Sequence, residues 1–184
     1  IHYTNPNENI IRNGSFNSEE YWDLEMHSNA DAVGSINSQK QYVISISDGG
    51  SSLTDIQLVQ NHLILINDKE YILEFDAYAS ANRIIEPKIE QHSIRYTDYS
   101  QIGATYIETH LQHYTFPFKM NYPNDSEARI VFNCGQIPGE VYLDNVSLKY
   151  IEAGQDTNKI EVVKVNFQTP DVSTPEGYVE DTGE

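Results

Sequence analysis

Apolar and polar residues alternate along several stretches of the chain, which is the pattern of a β-strand with one buried face. In the segment EYILEFDAYAS (70–80), every second residue from Tyr71 is apolar, while the carboxylates of Glu74 and Asp76 would project from the opposite face. We assign the more ambiguous segment 57–66 (QLVQNHLILI) to a strand because its end is β-branched. The same alternation predicts further strands at residues 42–47, 84–92, 113–120, 128–135 and 141–150.

Clusters of turn-forming residues separate the predicted strands. They consist mainly of Gly, Pro, Asn, Asp and Ser and lie at residues 47–51, 67–69, 122–126 and 138–139. No stretch has the apolar spacing of an amphipathic helix. Several short strands separated by turns are typical of an antiparallel sandwich. The sequence therefore predicts an all-β fold, an antiparallel β-sandwich of the jelly-roll type.

The alternation weakens towards the C-terminus, which suggests how the chain is organised. We predict a leader at residues 1–6, a sandwich module at 7–152 and a different segment at 153–184. That last segment begins with the linker-like AGQDTNK and holds one more candidate strand, at 160–167. We interpret it as a linker and the start of a next module, or as an arm packed on the sandwich, with disorder as the alternative. Because the chain begins at Ile1 without a signal-peptide pattern, we expect a piece of a longer protein.

The net charge of the chain disfavours some classes of ligand. Twenty-eight Asp and Glu against eleven Lys and Arg give a formal net charge of −17, which repels phosphate and disfavours nucleic acid and anionic membranes as partners. No apolar run approaches the roughly 20 residues of a membrane-spanning helix. The single cysteine, Cys134, excludes an internal disulfide framework. Thirteen tyrosines favour strands and binding surfaces that use aromatic rings.

Catalytic motifs are scarce in this sequence. It contains no G-x-S-x-G, no H-E-x-x-H and no phosphate-binding loop, and its six histidines lack metal-binding spacing. Glu74 and Asp76 would lie about 6.6 Å apart on one strand, but such pairs occur on many solvated strands. The sequence therefore predicts a protein that is not an enzyme.

Three segments in a fixed order carry a resemblance to a known family. They are NIIRNGSFN (9–17), KEYILEFDA (69–77) and GEVYLDNVSL (139–148). In this order they resemble the β-sandwich carbohydrate-binding modules of the clan that includes families four, nine, sixteen and twenty-two. The resemblance implies a non-catalytic module that binds β-linked polysaccharide of the xylan, glucan or mannan class. It also implies a neighbouring catalytic module, such as a glycoside hydrolase, in a secreted or cell-surface bacterial protein. The alternative is a structural or adhesive sandwich module of a bacterial surface protein.

The resemblance also implies a structural calcium ion. Modules of this clan usually hold calcium beside the aspartate of the third segment, which here is Asp144. Backbone oxygens near Ser15 and Lys40 would complete the shell, and Asn17 stands where relatives often have a carboxylate. The alternative is that Asp144 only caps a turn through hydrogen bonds.

In this clan a sugar chain lies in a cleft on the solvent face of one sheet. Tyrosine rings can stack on the apolar face of a pyranose, and Arg, Asn, Gln and Glu can bind its hydroxyl groups. The alternative is that these polar residues only form the solvated face of a sheet. Trp22 is assigned to the core. The candidate sugar-binding residues are His27, Glu86, Lys88, Gln91, His92, Tyr96, Arg129 and Asn133.

Overall fold

The computed structural model describes residues 8–93 and 95–151 and the backbone of Val165–Asn166 and Val179–Glu180. The predicted leader and most of the segment 153–184 lie outside these residues, so their predicted boundaries stay predictions. Two compact units divide the chain, Ile1–Ala153 and Gly154–Glu184. Among the described residues, no helix has the length and hydrophobicity needed to cross a lipid bilayer.

The first unit is built from strands. Their bounds are β1 (Asp23–Met26), β2 (Asp31–Ile36), β3 (Tyr42–Asp48), β4 (Ile56–Leu65), β5 (Glu70–Ala79), β6 (Arg83–Glu90), β7 (Thr105–Ile107), β8 (Gln112–Lys119), β9 (Asp125–Asn133) and β10 (Gly139–Ile151). A 3-10 turn, Leu53–Asp55, precedes β4. In the second unit, β11 (Val165–Asn166) pairs in parallel with β12 (Val179–Glu180).

Two five-stranded antiparallel sheets form the sandwich. The first sheet has the strand order β1-β4-β9-β6-β7, and the second sheet has the order β2-β3-β10-β5-β8. The predicted all-β sandwich is therefore confirmed, and all seven strands predicted between residues 42 and 150 are present. The strands β1, β2 and β7 were not predicted, because they are short and carry little alternation.

The core lies between the sheets, where the alternation predicted it. Every second side chain of β5 from Tyr71 to Ala79 is buried. Trp22 is buried as expected and packs against Phe16 and Phe132, with ring centroids 5.2 and 6.3 Å away. These contacts fix the segment that precedes β1 against the first sheet.

The N-terminal segment is tied to β10 by one asparagine and one glycine. The Asn9 side chain accepts hydrogen bonds from the backbone of Ile11 and Leu148 and donates to the Val146 carbonyl. Gly14 lies so close to β10 that a Cβ atom there would overlap the Val146 carbonyl oxygen. Two of the three recognised segments are thus neighbours in space, and glycine is required at position 14 by close packing rather than by an unusual backbone angle.

Candidate functional site

A groove of about 420 Å³ crosses the outer face of the first sheet, and we call it the first groove. Strands β1, β4, β6 and β9 supply most of its lining, while His27 just after β1, the 3-10 turn and the loop after β6 supply the rest. The lining residues are Glu25, His27, Thr54, Asp55, Gln57, Lys88, Glu90, Tyr96, Arg129 and Asn133.

Strand register places four polar residues in one row across the sheet. Glu25 is opposite Gln57, Gln57 is opposite Asn133, and Asn133 is opposite Glu86. Directly opposed residues in an antiparallel sheet project from the same face, so this row runs across β1, β4, β9 and β6. A continuous band of amide and carboxylate groups results.

Hydrogen bonds hold this row in a defined arrangement. The Gln57 amide donates to Asn133 Oδ1 over 2.6 Å, and the Asn133 amide donates to Glu86 Oε2 over 3.0 Å. His27 Nε2 lies 3.1 Å from Gln57 Oε1, and Lys88 Nζ lies 3.0 Å from the same Glu86 oxygen. Each amide nitrogen has a second N–H that this network does not use, so the row can still donate to a ligand.

The row of the sheet next to the first groove is apolar and buried. Val59 and Val131 are fully buried and are paired with each other in the next row of the sheet. Arg129 and Asn133 also belong to the outward face of β9, yet they are only 5% and 1% exposed. Side chains of the flanking strands cover this outward face, which distinguishes it from an ordinary solvated strand.

Tyr96 stands at the rim of the first groove over a buried ion pair. Arg129 donates to Glu90 Oε1 from Nε and Nη2, at 2.8 and 2.7 Å, and its guanidinium lies 4.9 Å from the centre of the Tyr96 ring. Burial raises the pKa of Glu90, and the hydrogen bond and charge of Arg129 oppose that rise. The Tyr96 ring is 52% exposed, so it offers a surface for stacking although Arg129 packs on it.

The loop that carries Tyr96 is held by its own backbone. The Gln91 N–H donates to the Thr97 carbonyl, and the Tyr96 N–H donates to Ser93. Tyr96 adopts a left-handed conformation with φ of 45°. Such a conformation is rare for a tyrosine, so the loop hydrogen bonds set where the ring points.

The structure brings five of the eight predicted sugar-binding residues into the lining of the first groove: His27, Lys88, Tyr96, Arg129 and Asn133. Glu86 is not part of the lining but anchors Asn133 and Lys88. Gln91 and His92 belong to the loop; the Gln91 side chain accepts from Thr97, and His92 is exposed outside the lining.

Sequence reasoning missed several groove residues. Gln57 was overlooked because the alternation of 57–66 is too irregular to assign faces, and Glu25 because β1 was not predicted. Glu90 was not missed in this way, since the alternation of 84–92 puts it on the outward face with Glu86 and Lys88, although it is not among the eight candidates. The register with which neighbouring strands pair identifies Gln57 and Glu25, and the sequence does not show that register.

The charges of the first groove are largely compensated within it. Lys88 pairs with Glu86, and Arg129 pairs with Glu90 and lies 3.7 Å from Glu25. What remains for a ligand is amide N–H, hydroxyl and aromatic surface. This arrangement suits a neutral, polyhydroxylated chain better than an ion.

Of the residues proposed for calcium, Asp144 lies at the bulge of β10. Asp144 is half-buried opposite Asp76, and its carboxylate accepts from the Asn145 N–H. Burial and the charge of Asp76 raise the pKa of Asp144. Both effects destabilise the ionised form of the carboxylate, and a bound cation would stabilise it. Asn17 donates to Ser15 Oγ over 2.9 Å, and Lys40 is in the left-handed region.

The described residues contain no group of three or more His, Cys, Asp or Glu side chains able to hold a metal. A calcium site here would therefore depend on amide, hydroxyl and backbone oxygens besides Asp144. Calcium accepts such oxygens, so the donor set fits that ion in kind.

Comparison with known proteins identifies the family and agrees with the fold. A sequence profile of the family described as carbohydrate binding domain, for modules of families 4 and 9, matches residues 8–141. A solved family 4 module is similar with a TM-score of 0.69 and 24% identity, over 76% of this chain and 99% of that one. No curated protein matches the sequence.

Two further solved structures have the same fold at lower identity. The second N-terminal cellulose-binding domain of Cellulomonas fimi β-1,4-glucanase C has a TM-score of 0.61 and 17% identity, over 76% of this chain and 92% of that one. A family 22 xylan-binding domain from Paenibacillus barcinonensis has a TM-score of 0.58 and 10% identity, over 82% of this chain and 99% of that one. At these identities the likeness concerns the sandwich alone.

Proposed function

Because the chain belongs to the carbohydrate binding domain family of modules 4 and 9, we propose that it is a non-catalytic module that binds β-linked polysaccharide in the first groove. The observation that carries this proposal is the hydrogen-bonded row from Gln57 through Asn133 to Glu86, with the exposed Tyr96 ring at its rim. Fixed amide donors beside an aromatic surface match the two kinds of surface that a sugar ring presents.

The chemistry of binding follows from the positions of these groups. A pyranose ring stacks its C–H face on Tyr96, while its hydroxyl groups accept from the free N–H groups of Gln57 and Asn133. Since these donors are already held by neighbours, little side-chain freedom is lost on binding. The xylan, glucan or mannan class is proposed because a straight β-linked chain can follow a groove that crosses several strands.

The biological role proposed is targeting. In a secreted or cell-surface bacterial protein, a module of this kind holds an appended polysaccharide-degrading enzyme near its substrate. It acts by raising the effective concentration of substrate rather than by lowering a reaction barrier.

We also propose that Asp144 binds a structural calcium ion, with oxygens of Ser15, Asn17 and Lys40 in the shell. The support is the half-buried carboxylate that faces Asp76 without a cationic side chain among its hydrogen-bond partners in the described residues. The ion would neutralise this charge and brace the bulge of β10 against the N-terminal segment.

Affinity electrophoresis tests the proposed function. The full chain is run in gels that contain soluble xylan, mixed-linkage glucan, glucomannan or pectin, and a gel without glycan serves as the reference. We expect retardation on at least one of the first three. Unchanged mobility on every glycan, with folding confirmed by circular dichroism, would favour a structural or adhesive module instead.

A further inference from the structure

A second groove, of about 670 Å³, crosses the outer face of the second sheet, on the side of the sandwich opposite to the first groove. Strands β2, β3, β5 and β10, the loop between β2 and β3, and the segment before β8 line it. None of its lining residues is shared with the first groove. It is therefore a separate surface, with chemistry of its own.

Two stacked tyrosines form the centre of the second groove. Tyr78 and Tyr142 are directly opposed on β5 and β10, and their rings are parallel within 5° with centroids 4.2 Å apart. Tyr142 also opposes Val43, which opposes Ser35, so one row crosses four strands. The pair presents aromatic carbon beside the apolar Val43, which is the surface on which the C–H face of a sugar packs.

Both phenol groups are anchored by polar neighbours. Tyr142 donates to Glu140 Oε2 over 2.6 Å, and Ser45 donates to the other oxygen of the same carboxylate. Tyr78 donates to Gln41 Oε1 over 3.1 Å. The rings are thus held in place by hydrogen bonds at their tips as well as by stacking.

Gln41 supplies an amide donor in the lining of the second groove. Its side chain is only 8% exposed, and its oxygen accepts from both Tyr78 and Asn37. Among the described residues, no protein group accepts from its amide nitrogen. The buried side-chain polar atoms that lack a partner in the described residues are Asn61 Oδ1 and Arg83 Nε, so the Gln41 nitrogen is reached by solvent and its N–H groups can donate to a ligand.

The lining of the second groove excludes several classes of ligand. Among the described residues, the lining contains no Lys, Arg or His and has Glu140 as its one carboxylate, so it offers no positive charge to an anion. A peptide cannot add a strand here, because the face of a sheet offers no free backbone edge. Peptide side chains also need apolar pockets, and the aliphatic residues in the described lining are only Val43 and Leu111. Amides, hydroxyls and a fixed aromatic pair remain, which match a neutral polyhydroxylated chain.

We propose that the second groove, built on the Tyr78–Tyr142 stack and the Gln41 amide, is a further binding site for an uncharged oligosaccharide. It acts independently of the first groove and does not rest on the function proposed there. Because the two grooves lie on different sheets and share no described lining residue, one molecule can hold two glycan chains at once.

Chemical-shift mapping tests this proposal on the full chain. The ¹⁵N-labelled protein is titrated separately with xylohexaose, cellohexaose, laminarihexaose and mannohexaose. We expect at least one of them to shift the backbone amides of Ser45 and Tyr142 and the side-chain NH₂ signals of Gln41. Shifts at Gln57 and Asn133 report the first groove in the same spectra.

A pair of variants assigns the effect to the aromatic stack. Tyr142→Ala should weaken binding at the second groove about tenfold or more, while the shifts at Gln57 and Asn133 persist. Tyr106→Ala is the matched control, since Tyr106 is an exposed tyrosine outside both linings. If Tyr142→Ala does not fold, the wild-type map decides alone.

The outcomes separate the two sites. Shifts confined to the first groove with all four sugars overturn the second site and leave the first. Shifts confined to the second groove support it and overturn the function proposed for the first. No shift in either groove overturns both.

Discussion

The side-chain amide of Gln57 donates a hydrogen bond of 2.6 Å to the side-chain oxygen of Asn133, across the pairing of β4 with β9. Both side chains are nearly excluded from solvent, so each depends on the other to satisfy its polar atoms. The pair joins His27 on one side to Glu86 on the other. One residue, Asn133, therefore decides whether the polar row of the first groove is continuous.

Replacing Asn133 with alanine should remove most glycan binding. Asn133→Ala leaves the Gln57 amide and the Glu86 carboxylate without their shared partner and removes a donor from the groove, so we expect affinity to fall at least about tenfold. Retardation in affinity gels measures the change. Asn124→Ala, a substitution outside both groove linings, serves as the control. Wild-type retardation of folded Asn133→Ala would place the binding site elsewhere.

Tyr96→Ala should abolish retardation without unfolding the protein. The ring is half-exposed and contacts Arg129 from the rim, so its loss removes a stacking surface while the core keeps its packing. Tyr96→Phe should retain most binding, because it keeps the ring. Tyr106→Ala removes an equally exposed ring outside the groove, at 53% exposure, and should bind normally. Normal mobility of Tyr96→Ala would exclude this residue from the site.

Calcium should stabilise the wild-type protein and not Asp144→Asn. A ligand at 100 times its Kd adds about 2.7 kcal/mol to the free energy of unfolding, so chelator should lower Tm and added calcium should restore it. Asp48→Asn, at an exposed turn carboxylate, should respond to calcium like wild type. The same wild-type Tm in chelator and in calcium would contradict the proposed ion.

We expect the free energy of unfolding to decrease at acidic pH as the Asp55 carboxylate becomes protonated. Its carboxylate accepts from the backbone N–H groups of Ser52 and Ser51 and from the Ser28 hydroxyl, and these hydrogen bonds lower its pKa. Because its pKa is lower in the folded state, its contribution is fully present above the unfolded pKa, ordinarily about 3.9. The contribution is lost as pH falls through the folded pKa.

Thermal unfolding of Asp55→Asn from pH 7 to pH 2 checks this expectation. The variant should have a lower Tm than wild type at pH 7, and the difference should shrink as the pH falls below 4. Asp48→Asn should follow the wild-type curve, because the amide oxygen can still accept from the Gly50 N–H. A constant difference between Asp55→Asn and wild type over the whole range would show that the charge of Asp55 is not responsible.

Gly14→Ala should destabilise the fold far more than Gly103→Ala. A Cβ at position 14 overlaps the Val146 carbonyl, and the backbones that must move apart are joined by the hydrogen bond from Val146 to Gly14. We expect the free energy of unfolding, measured in urea, to fall by about 2–4 kcal/mol. Gly103 has φ of 77° but open space around it, so alanine there should cost about 1 kcal/mol. If both variants lose the same free energy of unfolding, the close approach of Gly14 to the Val146 carbonyl is unimportant for stability.

The seven strands predicted between residues 42 and 150 follow from local alternation. Residues two apart on a strand share a face whatever the strand pairs with, so the burial of Tyr71, Leu73 and Phe75 could be predicted without a partner strand. The same alternation within residues 128–135 puts Arg129, Val131 and Asn133 on the face of the strand opposite to Ile130 and Phe132. The alternation does not predict that these residues are buried, because the side chains that shield them from solvent belong to other strands.

Sequence by itself determined the fold class, the inward face of the long strands and the family resemblance, since each depends on spacing within a short segment. Tertiary structure alone decided which outward residues meet: it set Gln57 beside Asn133, Arg129 beneath Tyr96 and Tyr78 against Tyr142. These contacts depend on the register between strands distant in sequence. Register is fixed by packing of the whole sandwich and leaves no local periodic signal.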